Sequence, residues 1–294
     1  MNITLSTEIL KLIRIKHWVK NVFVFLPVFF GGKISFLFTQ ELVLTFLAFC
    51  SGASAIYVLN DIIDVAHDKL HQVKKFRPLA SGAISISTGK ILFAGLLVLF
   101  LLLLFLLQSN AVYFILSYFV LNIAYSFKLK ELPIIDVSCI SLGFVLRIFA
   151  GGAATDIHIS HWMVIIVFLL SVSMALSKRR DDLLLDIDKN SLRKSLTGYN
   201  LQFLDFAKGI SFSVTLVAYI MYSISPEVMS RVGSENLYLT SFFVFLGIMR
   251  YIQITLVEND SGSPTDILWK DRFLQFTLFG WMMLFTLLLY GNKF

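Results

Sequence analysis

The chain has 294 residues, of which 57% are hydrophobic and only 15% charged, and its mean hydropathy is +0.80. No water-soluble domain of this length combines those values, so the sequence describes a polytopic membrane protein. The formal charge of +6 needs no nucleic acid to explain it, because the basic residues follow a topological pattern.

In chain order, the N-terminal segment is polar and amphipathic, and RIKHWVKN carries Arg14, Lys16, His17, Trp18, Lys20 and Asn21. A Trp among Lys and Arg is ordinary interfacial anchoring. Lys20 and Asn21, at the entry to the first span, are placed to reach a cytosolic cavity. No short apolar run with a small-residue cleavage pattern marks a signal peptide. Apolar runs long enough to cross a bilayer fall at 20–38, 41–59, 89–107, 111–127, 133–153, 161–177, 206–224, 237–256 and 273–290. The expectation is an all-α, nine-helix transmembrane protein forming a single domain over 1–294. Pro27 and the Gly31-Gly32 pair interrupt the first run.

The second run ends in NDIIDVAHD, with Asn60, Asp61, Asp64 and Asp68. At about 100° of turn per residue, these four positions fall within roughly a 100° arc of one helix. Carboxylates crowded so closely repel one another unless a cation joins them. Hard oxygen ligands at a partly solvated site favour magnesium shared with substrate phosphates. The bland alternative is a solvated helix end. Acids at the mouth of a membrane span are costly, which favours function.

HQVKKFRPLASG follows, with Lys74, Lys75, Arg77 and Pro78. Cations directly after a carboxylate cluster can hold the anion that a metal bridges, and Arg77-Pro78 before small residues predicts a fixed turn. AYSFKLKELPIID places Tyr125, Lys128, Lys130 and Asp136 around a short turn. Lys128 follows Tyr125 by about one helical turn, so phenol and ammonium can address one anion. Arg147 lies within a span, about three turns and 16 Å beyond Asp136. It is either a structural partner or a substrate ligand. SKRRDDLLLDIDKN then offers Lys178, Arg179, Asp182 and Asp186. Asp182 and Asp186, one turn apart, could face the first motif and hold a second magnesium, although a surface ion-pair face would read the same way. Cys50 and Cys139 lie inside apolar runs and read as packing residues. His67 and His71 are spaced for zinc, yet no other ligand pattern accompanies them. Five segments, 1–20, 60–88, 128–132, 178–205 and 257–272, hold 18 of the 25 Lys and Arg residues. That bias puts them, the N-terminus and every large polar cluster on the cytosolic side.

NDxxDxxxD after the second span, a second acidic motif after the sixth and nine spans together resemble the UbiA-type intramembrane prenyltransferase superfamily over essentially the whole chain. The resemblance implies helices around a lateral cavity open to lipid, with magnesium held by both acidic motifs binding and ionising a diphosphate. RIKHWVKN, NDIIDVAHDKLHQVKKFRPLASG, AYSFKLK, RIFAGG, SKRRDDL and SGSPTD are similar, more narrowly, to the decaprenyl-phosphate phosphoribosyltransferase branch. That branch carries a Glu after its Lys-Arg pair where this chain has Asp182. The narrower resemblance implies phosphoribosyl pyrophosphate as donor and a polyprenyl phosphate as acceptor, in a bacterial cytoplasmic membrane. The residues themselves lean the same way: three phosphate groups in one site demand more cation than one diphosphate, and Lys20, Lys74, Arg77, Lys128, Lys130, Arg147, Lys178 and Arg179 supply it. An aromatic-acceptor prenyltransferase and, from another class, a transporter are the alternatives. A transporter places its ionisable groups near the midplane, unlike the one-sided clusters here.

Overall fold

The computed structural model describes residues 2–70, 74–184, 194–258 and 264–291. Among them every regular element is helical. Residue contacts group the chain into two compact units, 1–128 with 146–158 and 129–145 with 159–294, where the sequence suggests one domain.

The first unit contains α1 (Asn2–Leu12), a 3-10 run (Ile15–Phe25), α2 (Leu26–Phe30), α3 (Gln40–Ile63), α4 (Val65–Leu70), α5 (Ile86–Leu106), α6 (Ala111–Phe127) and the second part of α7 (Ile135–Thr155). Helix α3 is its centre, packed against α5, α6 and the 3-10 run. Its small residues, Ala48, Ser51, Gly52, Ala53, Ser54 and Ala55, are all buried and admit close neighbours. Phe49, Ala53, Phe100, Leu103, Ile115 and Tyr118 form the apolar heart of this unit. Helix α5 presents much of its surface outward, with Ile91 74% and Phe105 86% exposed, the pattern of a helix whose solvent is hydrocarbon.

The second unit contains the first part of α7, then α8 (His161–Leu184), α9 (Leu201–Ser223), α10 (Pro226–Val232), α11 (Ser241–Leu256), α12 (Pro264–Lys270) and α13 (Arg272–Tyr290). The α8–α9 and α11–α13 pairs are its main packings. Asn200 and Asp271 cap α9 and α13, their side chains accepting from Phe203 N and Leu274 N.

Among the described residues, seven helical stretches are long and apolar enough to cross a membrane: α3, α5, α7, α8, α9, Glu235–Leu256 and α13. The expected span at 111–127 is α6, an apolar helix of 17 residues. The expected first span, 20–38, is not a continuous helix. It is broken into the 3-10 run, the five residues of α2 and a turn in which Gly32 has φ 67°. Pro27 lacks the N–H a through-helix needs, and Gly32 supplies a left-handed reversal.

Gly151 explains why this irregular segment sits so tightly against α7. A Cβ there would run into the backbone carbonyl of Val24, and backbone cannot swing aside as a side chain can. Gly151→Ala should therefore destabilise the protein by about 1–3 kcal/mol, the cost of overpacking a filled interior, whereas Gly95→Ala, with open space around its Cβ, should not. Thermal unfolding of the two variants in detergent measures the difference.

Candidate active site

One face of α3 organises the first acidic motif. Ser54, Tyr57 and Asp61 recur at three- and four-residue steps, so they line one side of the helix. Ser54 Oγ donates to the carbonyl of Ile13 at 2.8 Å and accepts from Trp18 Nε1 at 3.0 Å, fastening the N-terminal segment to α3. Between those anchors, Arg14 lies over the Tyr57 ring, 4.5 Å from its centroid, and Nη2 donates to Asp61 Oδ1 at 2.7 Å.

The helix does not run unbroken through the motif. Helix α3 ends at Ile63, Asp64 closes it with φ −86° and ψ 0°, and α4 begins at Val65. Asp61 and Asp68 are each only 3% exposed. Arg77 Nη1 donates to Asp61 Oδ1 at 3.1 Å and to Asp68 Oδ2 at 2.7 Å, so one guanidinium nitrogen joins the two acids. Asn60 Nδ2 instead donates to Ser126 Oγ on α6 at 2.9 Å. Asp64 is half-buried, with no polar partner among the described residues. The four side chains thus share the motif but not one set of contacts, although the backbone bonds Asp64 N to Asn60 O at 2.9 Å and Asp68 N to Asp64 O at 2.8 Å carry helical pairing through Asp64.

Among the described residues, no three His, Cys, Asp or Glu side chains are gathered as a metal cage. Magnesium does not need one: it takes one or two protein carboxylates together with phosphate oxygens and water. Asp61 and Asp68, close enough to share one Nη1, with Asp64 unpaired nearby in sequence, are hard oxygen donors that fit this ion. His71 lies outside the described residues, and His67 is exposed.

Arg77 is held by a fixed turn, as its Pro78 suggests. Its N–H donates to Lys74 O at 2.9 Å, Ser81 N donates to Arg77 O at 2.8 Å, and Gly82 turns with φ 79°. Buried Leu79 anchors the turn beside Leu12, Val58 and Ile84. Lys74 is exposed just before it, and Lys20 is half-buried in the 3-10 run. Tyr125 is half-buried on α6, but Lys128 lies past the end of that helix and is exposed. Asn21 and Arg147 meet deep in the first unit: Arg147 Nε donates to Asn21 Oδ1 at 2.8 Å and Nη2 to Tyr118 Oη at 2.9 Å. At 6% exposure, with its Cζ 4.5 Å from the Tyr118 centroid and 5.5 Å from that of Phe49, Arg147 ties α7, α6, α3 and the 3-10 run together. These contacts give Arg147 a structural partnership, one of the two roles the sequence leaves open for it.

In the second unit, Arg179 is 2% exposed. Its Nε donates to Asp136 Oδ2 at 2.7 Å and its Nη1 to Asp182 Oδ2 at 3.0 Å. Asp136 also accepts from Tyr199 Oη at 2.6 Å and from Val137 N at 2.8 Å. Arg179 is thus spent mainly on carboxylates and orients Asp182, whose side chain is 33% exposed. Lys178 is exposed and Lys130 half-buried. Asp186 lies outside the described residues. Sequence reasoning passed over Tyr199, 63 residues from the acid it serves. It also passed over a partly buried cluster in which Asp205 accepts from Arg180 at 2.9 Å and from Lys208 at 3.3 Å. Asp205 and Lys208 could have been noticed as a charged pair one turn apart at the start of an apolar run; nothing local announces Tyr199.

The profile of the UbiA prenyltransferase family matches residues 21–277. The chain belongs to this family. Among curated UbiA-like relatives, it is 30% identical to the decaprenyl-phosphate phosphoribosyltransferase of Corynebacterium glutamicum, over 97% of this chain and 88% of that protein. It is 29% identical to the enzyme of the same description from Mycolicibacterium smegmatis, over 95% and 91%. A UbiA homolog from Archaeoglobus fulgidus, solved bound to DMAPP and Mg2+, superposes with a TM-score of 0.70 at 19% identity, covering 96% of this chain and 99% of that one. That likeness establishes the UbiA fold.

The Arg179–Asp136–Tyr199 network makes its own predictions for this UbiA protein. Arg179→Met leaves a buried carboxylate uncompensated and should cost about 3–5 kcal/mol of stability. Burial, followed by the hydrogen bond to Asp136, pushes the Tyr199 phenol above its ordinary value. A raised phenol gives stability that is intact below the unfolded value of about 10 and lost as pH climbs toward the folded one. Thermal unfolding should therefore fall between about pH 10 and 11 in the parent and fall less steeply in Tyr199→Phe; equal slopes would remove Tyr199 from the account.

Proposed function

We propose that this protein transfers 5-phosphoribose from phosphoribosyl pyrophosphate to a polyprenyl phosphate, releasing diphosphate. The observation that carries the reading is the likeness, at about 30% identity over nearly the whole length, to decaprenyl-phosphate phosphoribosyltransferases. A set of acids held by arginines, rather than acids alone, supports it. The site faces the cytosol of a bacterial cell, with the N-terminus on that side, a reading that the distribution of Lys and Arg supports.

Asn60, Asp61, Asp64 and Asp68 would hold magnesium on the donor diphosphate, and Asp182 with Asp186 would hold a second ion. A magnesium ion held there would supply positive charge to offset that growing on the departing diphosphate. Arg77 and Lys74 add fixed positive charge to the same oxygens. Arg77 needs little reorganisation to do so, since its turn and its two acids already fix it. Tyr125, Lys128, Lys130, Lys178 and Lys20 position the remaining phosphates, while Arg179 acts through Asp182. Asn21 and Arg147 keep the 3-10 run in place behind the first motif. An oxygen of the lipid phosphate forms the new bond to C1 of the ribose as the C1–O bond to diphosphate breaks, and the bonding pair leaves with the diphosphate. The attacking oxygen is already anionic, so no general base is required. The apolar flanks of the helices, in a chain with 29 Phe residues, accommodate the isoprenoid tail.

Labelled phosphoribosyl pyrophosphate with polyprenyl phosphate should yield a labelled lipid in the presence of magnesium, and prenyl diphosphate with hydroxybenzoate should yield none. The converse result would make the protein an aromatic prenyltransferase. Asp64→Ala and Asp68→Ala should each reduce turnover by at least about a thousandfold while the protein remains folded; near-normal rates would sink the metal assignment.

A further inference from the structure

Arg14 has no place in the scheme so far, yet the structure holds it with some force. Its backbone is left-handed, φ 53° and ψ 49°, a region that residues with a Cβ enter seldom and keep only where their surroundings compel it. The surroundings here are explicit. Ser54 pins Ile13 on one side and Trp18 on the other, the guanidinium lies over Tyr57, and Nη2 meets Asp61.

Asp61 Oδ1 receives two guanidinium groups, Arg14 at 2.7 Å and Arg77 at 3.1 Å. The two cations would repel each other without it. Both side chains retain solvent access, 24% for Arg14 and 29% for Arg77, while Asp61 keeps 3%. Arg14 commits only Nη2 to hydrogen bonding and Arg77 only Nη1. The other guanidinium nitrogens of both have no partner among the described residues. A buried acid thus presents two arginine forks with unspent N–H groups, and the geometry of such forks matches the oxygens of phosphate.

We propose that Arg14 and Arg77, fastened together by Asp61, form a two-guanidinium cradle for the diphosphate of the donor substrate, with Arg14 a direct contact. The identity of the donor rests on the function proposed above; the diphosphate chemistry of the cradle does not. Asp61 accordingly has two duties, orienting the arginines as well as offering oxygen to magnesium.

The test compares Arg14→Gln and Arg14→Lys with the parent, using purified full-length protein in magnesium. Inorganic pyrophosphate binding is measured directly, alongside steady-state kinetics with phosphoribosyl pyrophosphate and polyprenyl phosphate. Arg14→Gln should weaken pyrophosphate binding and raise KM for phosphoribosyl pyrophosphate by about tenfold or more, leaving KM for the lipid within about twofold. Arg14→Lys keeps the charge without the fork and should recover part of the loss. Lys11→Gln, on the exposed side of α1 and paired only with Glu8, should change neither. Parent-like pyrophosphate binding in Arg14→Gln, or in Arg14→Lys should the Gln variant not fold, overturns the cradle, as does a loss confined to kcat and thermal stability. If the parent binds pyrophosphate through Arg14 yet makes no phosphoribosyl lipid, the proposed reaction fails and the cradle stands.

Discussion

A carboxylate buried where the surroundings are hydrocarbon must have a cation, and the structure is arranged around that requirement. Asp61 and Asp68 reach 3% exposure only because Arg77 touches both and Arg14 touches the first. Supplying those arginines takes two separate pieces of chain. One is the N-terminal segment fixed by Ser54, the other the Pro78 turn fixed by Leu79. Each piece rests on α3, whose run of small residues admits it.

This dependence explains features that otherwise look unrelated. The N-terminal segment cannot be a simple membrane-spanning helix if Arg14 is to reach Asp61 and Asn21 is to reach Arg147. The 3-10 run, the short α2 and the turn at Gly32 give it an irregular path instead. Gly151 then removes the one Cβ that would hold that path away from α7. Irregular backbone at membrane depth is tolerated where protein buries it, and here Val24 and Val28 are fully buried in the core of the first unit.

Most of the helices were legible because hydrocarbon writes a strong signal: predominantly apolar runs of 17 or more residues recur where α3, α5, α6, α7, α8, α9, Glu235–Leu256 and α13 lie. The exception, 20–38, was apolar enough but carried Pro27 and Gly32, and hydropathy alone does not weigh backbone geometry. Within the site, the acids and Arg77 were legible from crowding and from adjacent turn chemistry. The crowding of Asp61 and Asp68 appears as their common bond to Arg77, while Asn60 turns to Ser126. Arg14 was visible only as one member of an interfacial anchor, since its meaning depends on Asp61, 47 residues away. Tyr199 and Asp136 pose the same difficulty across 63 residues. Long-range pairing leaves no periodicity in a single sequence.

The two arginine–carboxylate networks differ in how far their arginines are exposed. Arg179 is 2% exposed, and Asp136 is closed off by an arginine, a tyrosine hydroxyl and a backbone N–H. Exchanging any of these for a ligand would strand a buried charge, so the network has reason to persist unchanged through a catalytic cycle. Arg14 and Arg77 retain roughly a quarter of their side-chain exposure and unspent N–H groups. Contacts of that kind can be shared with an arriving anion at little desolvation cost, because the guanidinium is already partly wet and already aimed. A protein that must hold acids in a membrane and also bind diphosphate gains by giving one arginine set to each task, and the difference in exposure is the ground on which the proposed cradle is assigned to Arg14 and Arg77.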